Sequence, residues 1–274
     1  MGADAQSVDR YYGQPGLGTT ILAALERAGK DSERLTRDDL APFEEFHIGG
    51  RPATRELAAV AGLREGMAVL DVGSGVGGPA RTLAAEFGCQ VTGLDLTEEY
   101  CRAAEMLTAR VGLGDKVTFR HGDALEMPFD DETFDQVWMQ HTSMNIEDKG
   151  RLFGEIHRVL RSGGRLALYE IFAGSVARPH FPVPWADDPA ISFLLPPEEA
   201  RRLLGGAGFQ ELEWNDLTQR STDLFRQLRA AAGQGEPPPL GLHLIIDDFA
   251  EKAANLLRNL EEDRIVVAQA VYER

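Results

Sequence analysis

A glycine-rich turn between a short apolar run and a helical pattern constrains the fold of this chain more than any other sequence feature. Residues 69–78 read VLDVGSGVGG, so a buried strand would lead through the turn into a helix. Glycines at such a turn adopt main-chain conformations that other residues avoid, and they let a ligand approach the backbone closely. After the turn, short apolar runs alternate with helical patterns, which is typical of a parallel sheet wrapped by helices.

The alternation also gives the order of the predicted elements. Seven strands are predicted, at residues 68–72, 90–95, 117–121, 134–141, 165–172, 209–217 and 265–272. A first-turn proline and a capping threonine mark helices at Pro79 and after Thr97. A helical stripe through residues 152–160 is predicted to end at Ser162-Gly163-Gly164. Further helical segments lie at residues 20–28 and 55–61, from residue 197, and at residues 221–232 and 248–260.

The regions outside this alternation have a different character. The first part of the chain is predicted to form an N-terminal helical cap over residues 1–66. Residues 67–274 would then form one domain with insertions at about 174–195 and 218–263. The first insertion is rich in proline and aromatic residues, and a loop of this length is usually functional. We therefore expect both insertions to act as lids.

Charge and cysteine content exclude several classes of partner. The chain has 28 basic and 44 acidic residues and a formal net charge of -16, which repels the phosphates of nucleic acids. The apolar run at 240–246 is far shorter than the roughly 20 residues that span a bilayer, so no membrane partner is expected. Asp4 lies where a signal peptide would be basic or apolar, and we expect a cytoplasmic protein. Cys89 and Cys101 belong to no metal-binding pattern, and no metal is expected.

The acidic residues around the turn indicate the kind of ligand. The glycine spacing also fits the pattern of dinucleotide binders, so it does not decide between ligands. Asp71, two residues before the first glycine, would suit an ammonium or sulfonium group and would be a poor neighbour for a pyrophosphate. Asp95 ends the second strand, where a carboxylate can bind both hydroxyls of a ribose. Asp123 could accept from an adenine amino group, with Ala124 supplying a main-chain N–H.

Four ordered motifs carry a family resemblance. The segments DVGSGVGG, GLDL, GDALEMPF and RVLRSGGRLAL resemble successive motifs of the class I S-adenosylmethionine-dependent methyltransferases over residues 69–209. The resemblance implies an α/β, Rossmann-like, seven-stranded sheet whose last strand is antiparallel. It implies S-adenosylmethionine as cofactor and S-adenosylhomocysteine as product. It assigns Asp71 and Gly73 to the methionine end, Asp95 to the ribose and Asp123 to the adenine. Further expected cofactor contacts are Ser74, Gly75, Gly77, Leu96, Gly122, Ala124 and Gln140.

A narrower resemblance concerns the N-terminal segment. Residues 11–13, YYG, and 46–50, FHIGG, resemble the cap of small-molecule N- and O-methyltransferases, among them sarcosine and dimethylglycine methyltransferases and sugar O-methyltransferases. This implies that Tyr12, Phe46 and Gly50 lie near the cofactor. The chain departs from the pattern at 218–263, where the simplest members have a tight hairpin.

A histidine and a glutamate are the predicted catalytic residues. Ligands of such sheets bind beyond the carboxyl ends of the strands, where the fourth strand ends at His141 and the fifth carries Glu170. His141 is the candidate general base, and Glu170 would orient its ring. The similar sugar O-methyltransferases use a histidine and an acid at matching strand ends. The alternatives are that His141 contacts only the cofactor or a main-chain group, and that Glu170 faces solvent.

Several other polar and aromatic residues have two interpretations each. Asn145 is a helix cap or a substrate contact, with the cap favoured. His180 and Trp185 either wall a substrate cavity or pack a lid. Asn255 and Asn259 lie four residues apart on one helix face, which would line the roof of a pocket or, in the favoured interpretation, face solvent.

The sequence thus predicts a methyltransferase that moves the methyl group of S-adenosylmethionine to an N or O atom of a small-molecule acceptor. Three alternatives stay open: a tRNA or protein methyltransferase, a nicotinamide oxidoreductase, and a non-catalytic nucleoside-binding module. The acceptor and the oligomeric state do not follow from the sequence, and a homodimer is one open arrangement.

Overall fold

Seven of the apolar runs form the strands of one sheet in the computed structural model, which describes residues 3–13, 15–176, 178–231 and 238–274. The strands are β1 (Ala68–Val72), β2 (Gln90–Asp95), β3 (Val117–His121), β4 (Phe134–Gln140), β5 (Leu160–Ala173), β6 (Gln210–Asp216) and β7 (Ile265–Glu273). Their order in the sheet is β3-β2-β1-β4-β5-β7-β6. The first five strands are parallel, and β7 lies antiparallel between β5 and β6. The predicted sheet with an antiparallel last strand is confirmed.

Two predicted boundaries on the central strands are wrong. The fourth strand ends one residue early because His141 has a φ of 51°, outside the extended region. The helix predicted to run through Leu160 to residues 162–164 ends at Val159 instead, since Leu160 pairs with Phe134 of β4. Leu160 continues the helical spacing of apolar residues in the sequence. In the structure, strand pairing determines its conformation, so the spacing alone misplaces the end of the helix.

Ten helices flank the sheet among the described residues. They are α1 (Ala3–Tyr12), α2 (Leu17–Arg27), α3 (Arg37–Leu40), α4 (Gly50–Ala61), α5 (Gly78–Phe87), α6 (Glu98–Arg110), α7 (Lys149–Val159), α8 (Pro197–Gly206), α9 (Thr218–Ala231) and α10 (Phe249–Glu261). The sequence did not predict α1 or α3. The end of the predicted 221–232 helix and Pro237, the first of three prolines between that segment and the one at 248–260, lie outside the described residues. None of the helices in the described ranges is both long and apolar enough to cross a bilayer.

Successive residues of the buried strands point to opposite faces of the sheet, and each face carries its own core. On one face, Val69 and Trp138 belong to a cluster with α4, α5 and α10. On the other, Leu70 and Val137 belong to a cluster with α7 and α8. Both layers leave the carboxyl ends of β1 to β4 accessible at one edge, where loops collect.

A third apolar cluster attaches the N-terminal helices to the sheet. It joins residues of α2 and α3 to Val76 in the glycine-rich turn and to Tyr100 of α6. A buried ion pair adds to it, since Arg81 Nη2 lies 3.0 Å from Glu44 Oε2 and both side chains are fully buried. The segment that carries Phe46 is thereby held beside the glycine-rich turn. The division of the chain at residue 66 stays a prediction.

Candidate functional site

A cavity of about 570 Å³ opens at the carboxyl ends of the parallel strands. Its volume lies in the range of small-molecule and cofactor sites. Eleven of the predicted site residues line it: Tyr12, Phe46, Gly50, Gly73, Gly75, Asp95, Leu96, Gly122, Asp123, Ala124 and His141. Residues from the cap, from the glycine-rich turn and from three strand ends therefore meet around one space.

Five predicted site residues lie behind the wall of this cavity: Asp71, Ser74, Gly77, Gln140 and Glu170. Gln140 is buried in β4, where its Oε1 accepts hydrogen bonds from Trp138 Nε1 at 2.7 Å and from Thr54 Oγ1 at 3.2 Å. This carbonyl therefore ties β4 to α4, and a direct contact of Gln140 with a ligand stays a prediction.

The glycine-rich turn is built so tightly that side chains do not fit. Gly73 has a φ of 72°, and a Cβ there would lie 2.2 Å from Thr142 Oγ1. Gly75 has a φ of 52°, and a Cβ there would lie 3.2 Å from the Phe46 ring. L-residues rarely adopt such φ values, so glycine is required at both positions. The turn then leads into the N-terminus of α5, where unpaired N–H groups favour polar or anionic groups.

Asp95 lies on the cavity wall at the end of β2. Its Oδ2 accepts from the Gly75 N–H at 2.7 Å and its Oδ1 accepts from the Thr97 N–H at 2.9 Å. Thr97 is the N-cap residue of α6, as predicted, but its side chain makes no cap hydrogen bond. Burial raises the pKa of Asp95 to about 6. A carboxylate has about four acceptor positions, so two remain for a pair of ligand hydroxyls.

Asp123 and Ala124 form a second polar part of the wall, after β3. Asp123 Oδ1 accepts from the Leu125 N–H at 2.9 Å, which orients the carboxylate in its turn. Gly122 donates to the main-chain oxygen of Asp95 at 2.9 Å, which holds this turn beside the end of β2. The two turns are therefore spaced as one platform, in the arrangement that a nucleoside requires.

Asp71 is buried beneath the glycine-rich turn. Its Oδ2 has no hydrogen-bond partner among the described residues, while the Ala80 main-chain N–H donates to the same carboxyl. Burial raises the pKa of Asp71 to about 8, and the charges of Asp95 and Glu45 add to this shift. A buried carboxyl without a counter-charge is costly, so a cationic ligand group nearby would stabilise its ionised form. The residues around the turn therefore fit the methionine end of S-adenosylmethionine.

His141 lies on the cavity wall at the end of β4. Its Nδ1 lies 3.0 Å from the Tyr169 main-chain oxygen, and its Nε2 lies 3.5 Å from the Ile48 N–H. These partners favour the neutral form in which Nδ1 donates and Nε2 accepts. Burial, with a contribution from the nearby His47, lowers the pKa of His141 to about 3. The imidazole is thus an uncharged acceptor at neutral pH.

The predicted pairing of Glu170 with His141 is not found. The buried Glu170 carboxylate accepts hydrogen bonds from the Thr142 N–H at 3.0 Å and from the Ser143 N–H at 3.2 Å. It therefore holds the turn that follows His141, while the Tyr169 carbonyl orients the ring. Burial raises the pKa of Glu170 to about 7. Glu170 can affect the site only through the position of this turn.

A histidine–carboxylate pair does exist in the cap segment. His47 Nε2 lies 2.8 Å from Glu45 Oε2, and both side chains are buried. Thr54 Oγ1 donates to the same Glu45 oxygen at 2.7 Å. Both members of the pair line the cavity. The FHIGG segment carries a family resemblance, but no sequence pattern indicates that Glu45 pairs with His47.

Asn145 fixes the wall opposite the strand ends and is not the helix cap that was favoured. Asp148 caps α7, whereas Asn145 Nδ2 donates to the main-chain oxygens of Trp185 and Ile191, both at 2.8 Å. The Tyr12 hydroxyl donates to Asn145 Oδ1 at 3.0 Å. Asn145 therefore joins α1 to the loop after β5, and Trp185 of that loop lines the cavity.

The two asparagines of α10 serve the same loop and do not face solvent. Asn259 is fully buried and accepts from the His180 N–H at 2.7 Å. Asn255 Nδ2 donates to the Pro182 oxygen at 2.9 Å. The His180 ring pairs with Glu262 away from the cavity. Residues three and four positions from Asn255 include Glu251, Lys252 and Arg258, so the sequence pattern of this face is polar and carries no signal for a buried role.

Residues of α9 and α10 complete the cavity and were not predicted individually. They contribute Leu224, Phe225, Leu228 and Leu256 to its wall. These side chains fall at helical spacing, which in sequence looks the same whether a helix faces a core or a cavity. Only the tertiary arrangement shows that this face covers the cavity.

Comparison with known sequences gives a family match in the strand region. Residues 70–168 match the family model of the methyltransferase domain. A sterol 24-C-methyltransferase from Eremothecium gossypii is 42% identical over 114 residues, which cover 42% of this chain and 31% of that protein. The Kluyveromyces lactis sterol 24-C-methyltransferase is 33% identical over 174 residues, covering 61% and 47%. The matched regions thus span less than half of these relatives.

Solved structures with the same fold cover all or most of the chain. The [4+2]-cyclase SpnF has a TM-score of 0.70 and 22% identity, with 100% of this chain and 97% of that chain covered. Geranyl diphosphate C-methyltransferase from Streptomyces coelicolor A3(2), in complex with S-adenosyl-L-homocysteine, has a TM-score of 0.73 and 16% identity, covering 100% and 98%. Phosphoethanolamine N-methyltransferase 2 from Haemonchus contortus has a TM-score of 0.70 and 21% identity, covering 92% and 56%.

The motifs, the sheet order and the family match agree. The strands that carry the matched motifs form the centre of the sheet, and the two acids that follow β2 and β3 line its cavity. Residues 70–168 therefore match the methyltransferase domain, and the chain as a whole shares the fold of the solved structures named above.

Proposed function

We propose that this protein transfers the methyl group of S-adenosylmethionine to a small-molecule acceptor held in the same cavity. The observation that carries the proposal is the meeting of Gly73, Gly75, Asp95 and Asp123 on one wall, with an unpaired carboxyl oxygen of Asp71 behind it. This set supports binding of a cationic adenine nucleoside. When bound, the cofactor supplies an electrophilic methyl group on a sulfonium.

The protein's own residues then bind, orient and exclude water. Asp95 accepts from the ribose hydroxyls, Asp123 accepts from the adenine amino group, and ionised Asp71 balances the positive charge. Phe46 and Tyr12 cover the cofactor from the cap side. His141 Nε2 accepts a hydrogen bond or a proton from the acceptor, which positions the nucleophile.

The element that receives the methyl group can be nitrogen, oxygen or carbon. An N or O acceptor was expected, whereas the named relatives include C-methyltransferases of sterols and of geranyl diphosphate. We retain N and O and add carbon as a third alternative. The structure of the methylated product, solved by NMR, distinguishes the three.

Two of the alternative functions are disfavoured on physical grounds. A net charge of -16 repels the phosphates of RNA, which disfavours a tRNA methyltransferase. Asp71 beside the glycine-rich turn disfavours a dinucleotide pyrophosphate. Calorimetry that gave tight NAD binding and no binding of S-adenosylmethionine would reverse this second judgement.

Asp95→Ala is expected to weaken S-adenosylhomocysteine binding by about 1–3 kcal/mol, the range for hydrogen bonds to a charged group. Titration calorimetry of the variant measures this. Asp115→Ala removes an exposed carboxylate from the loop after α6 and is the matched control, with unchanged affinity expected. Equal affinity in the two variants would place the ribose elsewhere.

Cofactor binding is expected to release about one proton near pH 7, because Asp71 must ionise to face a cation. Burial raises the pKa of Asp71 to about 8 in the free protein, so its carboxyl is mostly protonated there. Affinity should therefore rise between pH 6 and pH 8. Calorimetry in buffers of different ionisation enthalpy measures the release, which Asp71→Asn should abolish. Identical heats in all buffers for the unmodified protein would show that Asp71 does not respond to the cofactor.

A further inference from the structure

The cavity has two walls of different chemistry. The wall at the strand ends holds Asp95 and Asp123 and suits the nucleoside. The opposite wall comes from α1, the loop after β5, α9, α10 and the segment before α10, and it is built of apolar side chains. Six of these are Val8, Trp185, Leu224, Phe225, Phe249 and Leu256. A molecule that fills this half therefore exchanges water for apolar contacts.

Positive charge is missing from both walls. Among the described residues that line the cavity there is no lysine or arginine. The acids nearest to the apolar wall are Glu45, which is paired with His47, and Glu147 and Asp148, which are exposed at the rim. A phosphate or carboxylate on the acceptor would lose its hydration and meet carboxylates. The cavity thus offers an anionic acceptor no compensation.

The polar groups of the apolar wall are already used within the protein. The Tyr12 hydroxyl is bonded to Asn145, and both amide hydrogens of Asn145 are bonded to main-chain oxygens. Trp185 Nε1 donates to Ser192 Oγ at 2.9 Å. Two lining groups are left for a ligand: His141 Nε2, with only a long contact of 3.5 Å from Ile48 N–H, and the Tyr100 hydroxyl, which has no partner among the described residues and lies beside Tyr12 and Phe46 on the cofactor side. Burial lowers the pKa of His141, so its ring carries no positive charge that would attract an anion.

Resting on the proposed function, we propose that the methyl acceptor is a mostly apolar molecule without an anionic group, with one hydrogen-bonding group directed at His141. The cavity selects against phosphate-bearing and carboxylate-bearing acceptors. The chain shares its fold with a geranyl diphosphate C-methyltransferase and a phosphoethanolamine N-methyltransferase. Because no lysine or arginine among the described residues lines its cavity, we do not expect it to accept phosphate-bearing molecules of that kind.

Matched probes test the selection by charge. Geraniol and geranyl phosphate share one apolar chain and differ in charge. We expect calorimetry on the protein saturated with S-adenosylhomocysteine to give geraniol an affinity at least about tenfold above that of geranyl phosphate. Equal or tighter binding of geranyl phosphate, or no binding of geraniol, would overturn the proposal.

A charge introduced into the wall tests its location. Leu228 of α9 lines the cavity and is 54% exposed, so Leu228→Lys can be made without burying a charge. We expect it to raise the affinity for geranyl phosphate by about fivefold, through a positive charge at the rim. Gln227→Lys adds the same charge at a neighbouring exposed position outside the cavity and should have no effect. The same response in both variants would contradict the placement.

The titrations also separate this proposal from the proposed function. Saturation with S-adenosylhomocysteine is measured first. Failure at that step overturns cofactor binding itself, and with it the inference that depends on it. Normal saturation followed by failure of geraniol to bind overturns only the acceptor class.

Discussion

Replacing Arg81 by alanine is expected to lower the free energy of unfolding by about 3–5 kcal/mol, the cost of leaving a buried charge without its partner. Arg81 is fully buried, and its Nε and Nη2 donate to Glu44 Oε2 at 3.1 and 3.0 Å. Its Nη1 donates to Thr108 Oγ1 at 3.0 Å. In the variant, Glu44 would keep only the ion pair with Arg51.

Urea denaturation followed by circular dichroism measures this loss. Arg102→Ala removes an arginine that is 64% exposed and should change stability by no more than about 0.5 kcal/mol. The double variant Glu44→Gln/Arg81→Met removes both charges, and we expect it to be more stable than Arg81→Ala. If Arg81→Ala and Arg102→Ala had the same urea midpoint, the ion pair between Arg81 and Glu44 would not anchor the cap segment.

Replacing His141 by asparagine is expected to slow methyl transfer to a hydroxyl acceptor by about 10²–10⁴-fold, the usual contribution of a positioned base. Asparagine is chosen because it tolerates the φ of 51° at this position better than alanine does. The cofactor platform does not involve this ring, so affinity for S-adenosylhomocysteine should hardly change. With an amine that is already neutral in the cavity, the loss should be far smaller, because positioning carries the rate.

The pH profile gives a second readout for His141. Because its pKa is lowered to about 3, the imidazole stays neutral from pH 6 to pH 9. Acidification from pH 8 to pH 6 should therefore cause no loss of rate through this group. A loss of cofactor affinity in parallel with turnover would show that His141 is a cofactor contact. A fall in the methyl-transfer rate below about pH 6.5 that disappears in the variant would show that His141 has the usual pKa of a histidine.

The sheet could be predicted because its central strands are buried on both faces. Such strands are short apolar runs separated by clear helix starts, and β1 and β2 begin and end where the sequence places them; the edge strand β3, which is partly exposed, does so too. The loop from Val72 to Gly78 could also be predicted from the sequence, because its φ values and close contacts admit only glycine at positions 73 and 75. These are local constraints, and local constraints leave a pattern in the sequence.

The partnership of the catalytic candidates could not be predicted in the same way. Strand ends place His141 and Glu170 near each other, but the choice of hydrogen-bond partner depends on a turn at residues 142–143 that has no sequence signature. The main-chain N–H groups of that turn take the Glu170 carboxylate, and a carbonyl takes the His141 ring. Competition between side-chain and main-chain groups is decided by tertiary geometry.

Fold alone does not determine the chemistry of this cavity. A [4+2]-cyclase and several methyltransferases share the architecture, so the assignment of methyl transfer depends on the residues at the site. The residues that matter most are the acids that fit a sulfonium nucleoside and His141, whose Nε2 has only a long contact within the protein. A protein that only bound the cofactor would also satisfy the first of these requirements.

Incubation with S-adenosylmethionine labelled in its methyl group, together with fractionated pools of small metabolites, tests methyl transfer most directly. We expect at least one fraction to yield a labelled, mostly apolar product without an anionic group, with S-adenosylhomocysteine formed in equal amount. Asp95→Ala should slow this reaction at low cofactor concentration. Tight binding of S-adenosylmethionine with no S-adenosylhomocysteine from any fraction would contradict methyl transfer and identify a non-catalytic nucleoside-binding protein.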